Sequence, residues 1–388
     1  MICTGAKVAI ITPVHNGAAF LAEAIDSVLA QTYADWEYVI ADNGSTDETF
    51  ALAQRYAAHD PRIRAVRTLP HLPIIDNWNR ALGLIPESAV FVKELHADDL
   101  LLPNCLAEMV ALMERHPTAG MVGSYALYDA AVSNVGAPLG QELIAGREVI
   151  RRTVLGEWWL FGAPSNVMLR HSVLRDMAPE IYDRTLRHAD IDLWYRILDR
   201  HDFAFVHQVL SCERTHDESQ TNTFSARYST IALEHFGLLR RFGPRVLDRR
   251  DFVRAHRRQL NDYRRRVARR LFGGGGRDYW RFQNTQLALF DFRLGIGDVA
   301  AGAVMEAVAW LLDPQHATAS RAKFVEKLAR QRRRALRGVS TAIRHTLLAR
   351  HRLLRGRLYR VLYGARRAQP PSGPSAAAIS LISLLTTA

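Results

Sequence analysis

The first 130 residues alternate between two hydrophobic periods, and this alternation constrains the fold most. Short β-branched runs at 8–12 and 38–41 alternate with segments such as 20–29, where apolar residues recur at helical spacing. Two further strands are expected at 64–66 and 90–92. Strands that alternate with helices of about 10 to 15 residues are typical of β-α-β units. The sequence therefore predicts an α/β fold with a largely parallel sheet.

The pattern changes twice after residue 130. Between 127 and 159 it weakens around several glycines, which favours loops around short elements, and it returns as a strand at 165–169 and a helix at 190–200. Beyond residue 224 the chain has a mainly helical pattern. We therefore expect an α/β domain over 1–224, a basic helical region over 225–368 and a disordered tail over 369–388, which is rich in Ser and Ala.

Charge and cysteine content narrow the class of protein. Residues 1–239 carry 19 basic and 30 acidic side chains, whereas 240–388 carry 32 basic and 9 acidic ones. Three cysteines without a C-x-x-C pair argue against a disulfide framework and against structural zinc. The sequence has neither a secretory signal pattern nor an apolar run of about 18 residues. A cytoplasmic protein that can touch a membrane without crossing it is expected.

Polar and acidic turns follow the predicted strands, where ligands of open α/β sheets bind. The chain lacks the G-x-G-x-x-G, P-loop and G-x-S-x-G patterns, which disfavours a dinucleotide site, an NTPase and an α/β-hydrolase. Carboxylates that meet at one sheet edge can instead hold a divalent cation and a polar ligand. The three turns are Thr12-Pro13-Val14-His15-Asn16, Asp42-Asn43-Gly44-Ser45-Thr46-Asp47 and His96-Ala97-Asp98-Asp99.

The order of these turns resembles the inverting glycosyltransferases of family 2, which have the GT-A fold, a Rossmann-like fold of nucleotide-diphospho-sugar transferases. The resemblance covers roughly residues 7–221 and implies this fold with a mainly α-helical C-terminal extension. Further matches, in chain order, are Ala163-Pro164-Ser165-Asn166, Asp190-x-Asp192-Leu193-Trp194 and Arg214-x-His216.

The resemblance implies a metal-assisted donor site. Asp99 would bind Mn²⁺ or Mg²⁺, Asp98 would bind the metal or the ribose of the donor, and His216 would complete the metal shell or touch the diphosphate. The residues alone leave other roles open, since Asp98 and Asp99 could cap a helix and His216 could be a loop histidine. The other residues implied to bind the nucleotide-sugar are Thr12, Pro13, His15, Asn16, Asp42 and Asn79, with Asp42 accepting a hydrogen bond from the nucleobase.

Inversion needs a base that takes the proton of the attacking hydroxyl. The resemblance assigns this role to Asp190, while Asp192 competes for it, and Asp190 could also serve as a helix N-cap. Two positions depart from the family pattern. His96 stands where many relatives have Asp, and Ala189 stands where Glu is usual.

The basic C-terminal region has an amphipathic helical pattern over 321–367. This pattern suits an anionic membrane surface or, alternatively, a helical appendage packed on the catalytic domain. The resemblance implies a metal-dependent, non-processive transferase that moves a sugar from a UDP-linked donor to a glycan or lipid-linked acceptor of the cell envelope. Two alternatives are a nucleic-acid-binding protein that uses the Arg-rich half and a catalytically silent binding module. No recognised nucleic-acid module supports the former, so no specific nucleic-acid partner is expected.

Overall fold

The computed structural model describes residues 5–128, 131–214, 224–273 and 276–312. Ten strands in these ranges form one sheet, ordered β3-β2-β1-β4-β9-β6-β10-β5, with β7 beside β6 and β8 beside β10. The strands are β1 (Val8–Val14), β2 (Trp36–Asp42), β3 (Ile63–Arg67), β4 (Phe91–Glu94), β5 (Leu100–Leu101), β6 (Ala119–Tyr128), β7 (Ala131–Ser133), β8 (Leu143–Ile144), β9 (Val167–Arg170) and β10 (Asp202–Glu213).

Helices connect and cover the strands of the first two hundred residues. Their apolar stripes face the sheet, as the buried Leu21, Ala24, Ile25 and Val28 of the first helix illustrate. These helices are α1 (Ala18–Leu29), α2 (Thr49–His59), α3 (Ile74–Leu82), α4 (Cys105–Arg115), α5 (Gly146–Val154), α6 (His171–Arg175) and α7 (Ala189–Leu198), with a short 3-10 turn at Pro164–Asn166.

Strands β3, β2, β1 and β4 are parallel and form the half of the sheet that the sequence predicted. Every residue of β1 is buried, as expected for a central parallel strand covered on both faces. The other half is mixed, because β9 runs antiparallel to both β4 and β6, while β6 and β10 are parallel. The α/β class is confirmed.

One sequence expectation is confirmed here and another is wrong in detail. The segment 127–159, expected as loops around short elements, contains the short strands β7 and β8 and the helix α5. The sequence pattern does not reveal the buried face of α5, because four of its nine residues are arginine or glutamate. The strand expected at 165–169 begins only at Val167, since Pro164–Asn166 forms the 3-10 turn.

The chain after residue 224 is helical in its described part, as predicted. It forms α8 (Ala226–Tyr228), α9 (Thr230–Val246), α10 (Arg249–Gly273), α11 (Arg277–Ala288) and α12 (Ile296–Leu312). None of the helices in the described ranges combines the length and the hydropathy that crossing a bilayer requires. The amphipathic pattern at 321–367 and the tail at 369–388 lie outside the described residues.

Two compact units are distinguished, Met1–Gln259 with Arg281–Phe292 and Leu260–Trp280 with Arg293–Ala388. Within the first unit, α9 packs on α5. Within the second, Arg264 pairs with Asp298, and Glu306 pairs with two further arginines of α10. The domain boundary expected at residue 224 stays a prediction, but α9 lies in the same unit as the sheet.

Candidate active site

The carboxyl ends of β2, β1 and β4 meet at one edge of the sheet. Val14 at the end of β1 pairs with Asp42 at the end of β2, and Ile11 pairs with Glu94 at the end of β4. The Thr12 hydroxyl donates to the Leu95 carbonyl at 2.6 Å, which joins the first strand to the turn after the fourth. This edge brings the three polar turns of the sequence together.

The turn after β4 contains a cluster with metal-ligand geometry. His96, Asp98 and Asp99 each offer one ligand atom, and these atoms lie within 4.8 Å of one another. Asp99 is 4% exposed, whereas His96 and Asp98 are half-buried. Two carboxylates and an imidazole suit Mn²⁺, and carboxylates suit Mg²⁺. His216 lies outside the described residues, so its predicted part in this shell stays a prediction.

Two observations on this turn fit a cation. The Nε2 atom of His96 is buried without a hydrogen-bond partner, which is costly for a polar atom unless something binds it. The pKa of Asp99 is raised to about 6, mainly by burial, with the charge of His96 lowering it and the charge of Asp98 raising it. A bound cation would stabilise both carboxylates in their charged form.

The metal turn, residues 96–99, is held by neighbours on three elements. The Ser165 hydroxyl accepts the backbone N–H of His96 at 2.9 Å. The buried ammonium of Lys93 donates to the Ser165 and Val167 carbonyls, and burial lowers its pKa. Arg214, directly after β10, donates through Nε to the Asp98 carbonyl and pairs with Glu23 on α1. The metal turn is thus fixed to the 3-10 turn before β9, to the end of β10 and to α1.

The two candidate bases on α7 have different surroundings. Asp192 is 1% exposed and pairs with Arg196 at 2.8 Å and with Arg241 at 2.6 Å. Asp190 is half-buried, burial raises its pKa, and the charges of His188 and His96 lower it. Asp190 therefore lies within electrostatic range of the metal turn, whereas Asp192 is engaged by two arginines.

Asn79, whose predicted binding of the nucleotide-sugar stays a prediction, is hydrogen-bonded within the chain. Its side-chain amide donates to the Tyr182 carbonyl and accepts the Tyr182 N–H, both at 2.8 Å. The Tyr182 hydroxyl in turn donates to the buried carboxylate of Glu94, and burial raises the pKa of Glu94 to about 7. The ring of Trp78 contacts the rings of both Tyr182 and His96. Asn79 thus clamps the segment that leads into α7.

The other residues predicted to bind the donor fall into two groups. Thr12, Pro13 and Asp42 are buried, and Asp42 has no exposed surface; its carboxylate pairs with Arg67 at 3.2 Å and accepts the Ser45 N–H. His15 and Asn16 are exposed at the same edge.

The exposed pair is ordered by backbone contacts. Asn16 adopts a positive φ of 52° and accepts the Thr46 N–H through its side chain. The His15 ring lies 4.3 Å from that of His71, and both rings contact the Asn43 carbonyl through Nδ1. That His15 and Asn16 bind the nucleotide-sugar stays a prediction.

Sequence reasoning missed two members of the site. From the sequence, His96 was identified only as a departure from the pattern of the family that the chain resembles. The spacing H-x-D-D was the available signal, because it places an imidazole, which can bind a metal, where a carboxylate is usual. Glu234 on α9 accepts the backbone N–H groups of Arg187 and His188 just before α7. No local pattern identifies Glu234, because its partners lie 46 and 47 residues earlier.

The chain is similar to several known proteins. A family model described as Glycosyl transferase family 2 matches residues 9–178. The putative glycosyltransferase EpsE of Bacillus subtilis (strain 168) is 29% identical over 201 residues, which cover 50% of this chain and 68% of EpsE. A PGL/p-HBAD biosynthesis glycosyltransferase of Mycobacterium tuberculosis (strain ATCC 25177 / H37Ra) is 30% identical over 169 residues, covering 43% of this chain and 65% of that protein. The chain thus spans about two thirds of the length of each.

Among solved structures, S. aureus TarS 1-349 in complex with UDP-GlcNAc is 14% identical to the chain. The alignment has a TM-score of 0.48 and covers 76% of this chain and 90% of that one.

Proposed function

Since the chain belongs to glycosyltransferase family 2 and has the GT-A type of α/β fold that its sequence predicted, we propose that it transfers one sugar per encounter from a UDP-linked donor, with inversion. The acceptor is a hydroxyl of a glycan or lipid-linked oligosaccharide of the cell envelope. The observation that carries this proposal is the His96–Asp98–Asp99 cluster, within electrostatic range of Asp190.

The metal turn supports a diphosphate site in this proposal. His96, Asp98 and Asp99 would hold Mn²⁺ or Mg²⁺, which supplies Lewis-acid stabilisation of the negative charge on the departing diphosphate. Ser165 and Arg214 keep the turn rigid, so that little reorganisation accompanies bond breaking.

The turns after β1 and β2 support the nucleotide part of the donor site. His15 and Asn16, exposed after the end of β1, face the donor in this proposal. Asp42 keeps the loop after β2 in place through its contact with the Ser45 N–H.

Asp190 acts as the general base. Its raised pKa makes it a better proton acceptor than an ordinary surface carboxylate. It accepts the proton of the attacking hydroxyl while the hydroxyl oxygen bonds to the anomeric carbon on the face opposite the departing UDP, whose bond to that carbon breaks. Asp192 is a poorer candidate because two arginines already satisfy its carboxylate oxygens.

A thermal-shift panel tests this function. UDP, GDP, CDP and dTDP are each added with and without Mn²⁺ to the wild type, to Asp99→Asn and to Asp26→Asn, an exposed α1 control. We expect UDP to raise the melting temperature only with Mn²⁺, in the wild type and in Asp26→Asn but not in Asp99→Asn. Stabilisation by none of the nucleotides, or equal stabilisation of Asp99→Asn, would contradict the proposal.

A further inference from the structure

The backbone directly before α7 is held by a buried carboxyl group from α9. Glu234 is 2% exposed, and its two oxygens accept the N–H of Arg187 at 2.9 Å and of His188 at 2.7 Å. His188 is the N-cap residue of α7, and its side chain makes no capping hydrogen bond to the helix. Glu234 on α9 therefore holds the backbone directly before this helix, which lacks the local side-chain cap that helices commonly have.

Two more contacts from α9 flank the same helical turn. The Thr230 hydroxyl lies 2.8 Å from Nε2 of His188, and Arg241 pairs with Asp192 at 2.6 Å. Asp190 lies between these anchors, since residues 187 and 188 precede it and Asp192 follows it. One helix thus fixes the chain on both sides of Asp190.

We propose that Glu234 is a positioning residue for Asp190, which it keeps directed at the acceptor hydroxyl by holding Arg187 and His188 against α9. This inference rests on the proposed function, in which Asp190 is the base. A general base must lie within hydrogen-bond reach of its proton, and a displacement of about 1 Å can cost about 100-fold in rate. Glu234 itself touches neither donor nor acceptor.

The test separates turnover from donor binding. Turnover is measured as UDP release from a mixture of UDP-glucose, UDP-galactose and UDP-N-acetylglucosamine, with water as the attacking hydroxyl, and binding as the Kd of UDP with Mn²⁺. The variants are Glu234→Ala, Glu234→Gln and Asp190→Asn. Asp199→Asn serves as the matched control, because Asp199 lies at the other end of α7 and pairs with the exposed arginines Arg147 and Arg245.

We expect Glu234→Ala to lower turnover about 100-fold with an unchanged Kd. Glu234→Gln, which keeps one acceptor oxygen, should stay within about threefold of the wild type, and Asp199→Asn should match the wild type. In the Asp190→Asn background, Glu234→Ala should cause no further loss, because residues that act through one another are not additive.

Three results would overturn the positioning role: full turnover in Glu234→Ala, an equal loss of turnover and UDP binding, or an additive loss in the double variant. If Asp190→Asn itself keeps full turnover, the proposed base is wrong, which is a different failure. Should Glu234→Ala not fold, Thr230→Val removes only the contact to His188. We then expect a loss of about tenfold in turnover with an unchanged Kd, and wild-type turnover would overturn the inference.

Discussion

Asp190→Asn and Asp192→Asn are the same isosteric change two residues apart on α7, but we expect the first to lower turnover and the second to lower stability. Asp192 is buried between Arg196 and Arg241, so its loss leaves two guanidinium groups without their shared carboxylate. Asp190 has a pKa raised by burial, so loss of its charge removes a cost of burying it. Stability should therefore depend on Asp192 and turnover on Asp190.

The magnitudes follow from exposure. Breaking a buried ion pair costs about 3 to 5 kcal/mol, but the side chains of Arg196 and Arg241 are 29% and 36% exposed and can be partly solvated. Because Asn also keeps one acceptor oxygen, we expect Asp192→Asn to lose about 2 kcal/mol of unfolding free energy. A general base contributes about 10² to 10⁴ in rate, so Asp190→Asn should lower turnover about 1000-fold without loss of stability.

The assay pairs urea unfolding with UDP release from UDP-sugars, and UDP binding with Mn²⁺ serves as a control for folding. Asp192→Asn should unfold at lower urea yet keep turnover within about tenfold of the wild type when assayed well below its unfolding midpoint. If Asp192→Asn were stable and inactive while Asp190→Asn were active, the base would be Asp192. The reasoning from the arginine contacts would then be refuted.

Three further outcomes follow from the structure. Burial raises the pKa of Glu234 to about 8, so the stability that this group contributes is fully present below its unfolded pKa near 4.5 and is lost as the pH rises through 8. Between pH 5 and pH 9 the wild type should therefore lose up to about 5 kcal/mol of unfolding free energy relative to Glu234→Gln. A difference between the two proteins that does not change with pH would contradict this. Removal of Mn²⁺ by EDTA should abolish the UDP-dependent rise in melting temperature, whereas persistence of the rise would indicate a metal-independent site. Asn79→Ala should cost about 1 to 3 kcal/mol of unfolding free energy and leave UDP binding within about twofold, because its amide binds the Tyr182 backbone. A selective loss of UDP binding would instead support its predicted role in binding the nucleotide-sugar.

The sequence was sufficient for the parallel half of the fold and for the turns that follow it. The first four strands and α1 have strong local periods, and parallel strands place their carboxyl ends at one edge whatever the packing around them. The pattern of strands and helices alone therefore assigns the carboxylates of Asp98 and Asp99 to this edge. Local pattern failed at α5, where charged residues mask the buried positions of a short amphipathic helix.

Tertiary structure decided which polar residues are engaged internally and which remain open to a ligand. Asn79 and Tyr182 are 103 residues apart in the chain, and Glu234 lies 46 residues beyond His188. Hydrogen bonds of this kind have no sequence period, since they depend on how helices and strands pack. The sequence by itself determined which chemical groups lie at the strand edge. Packing decided that Asp42 is buried, that Asp192 is neutralised by arginines and that α9 holds the helix of Asp190. Only the folded chain brings these distant groups within bonding distance.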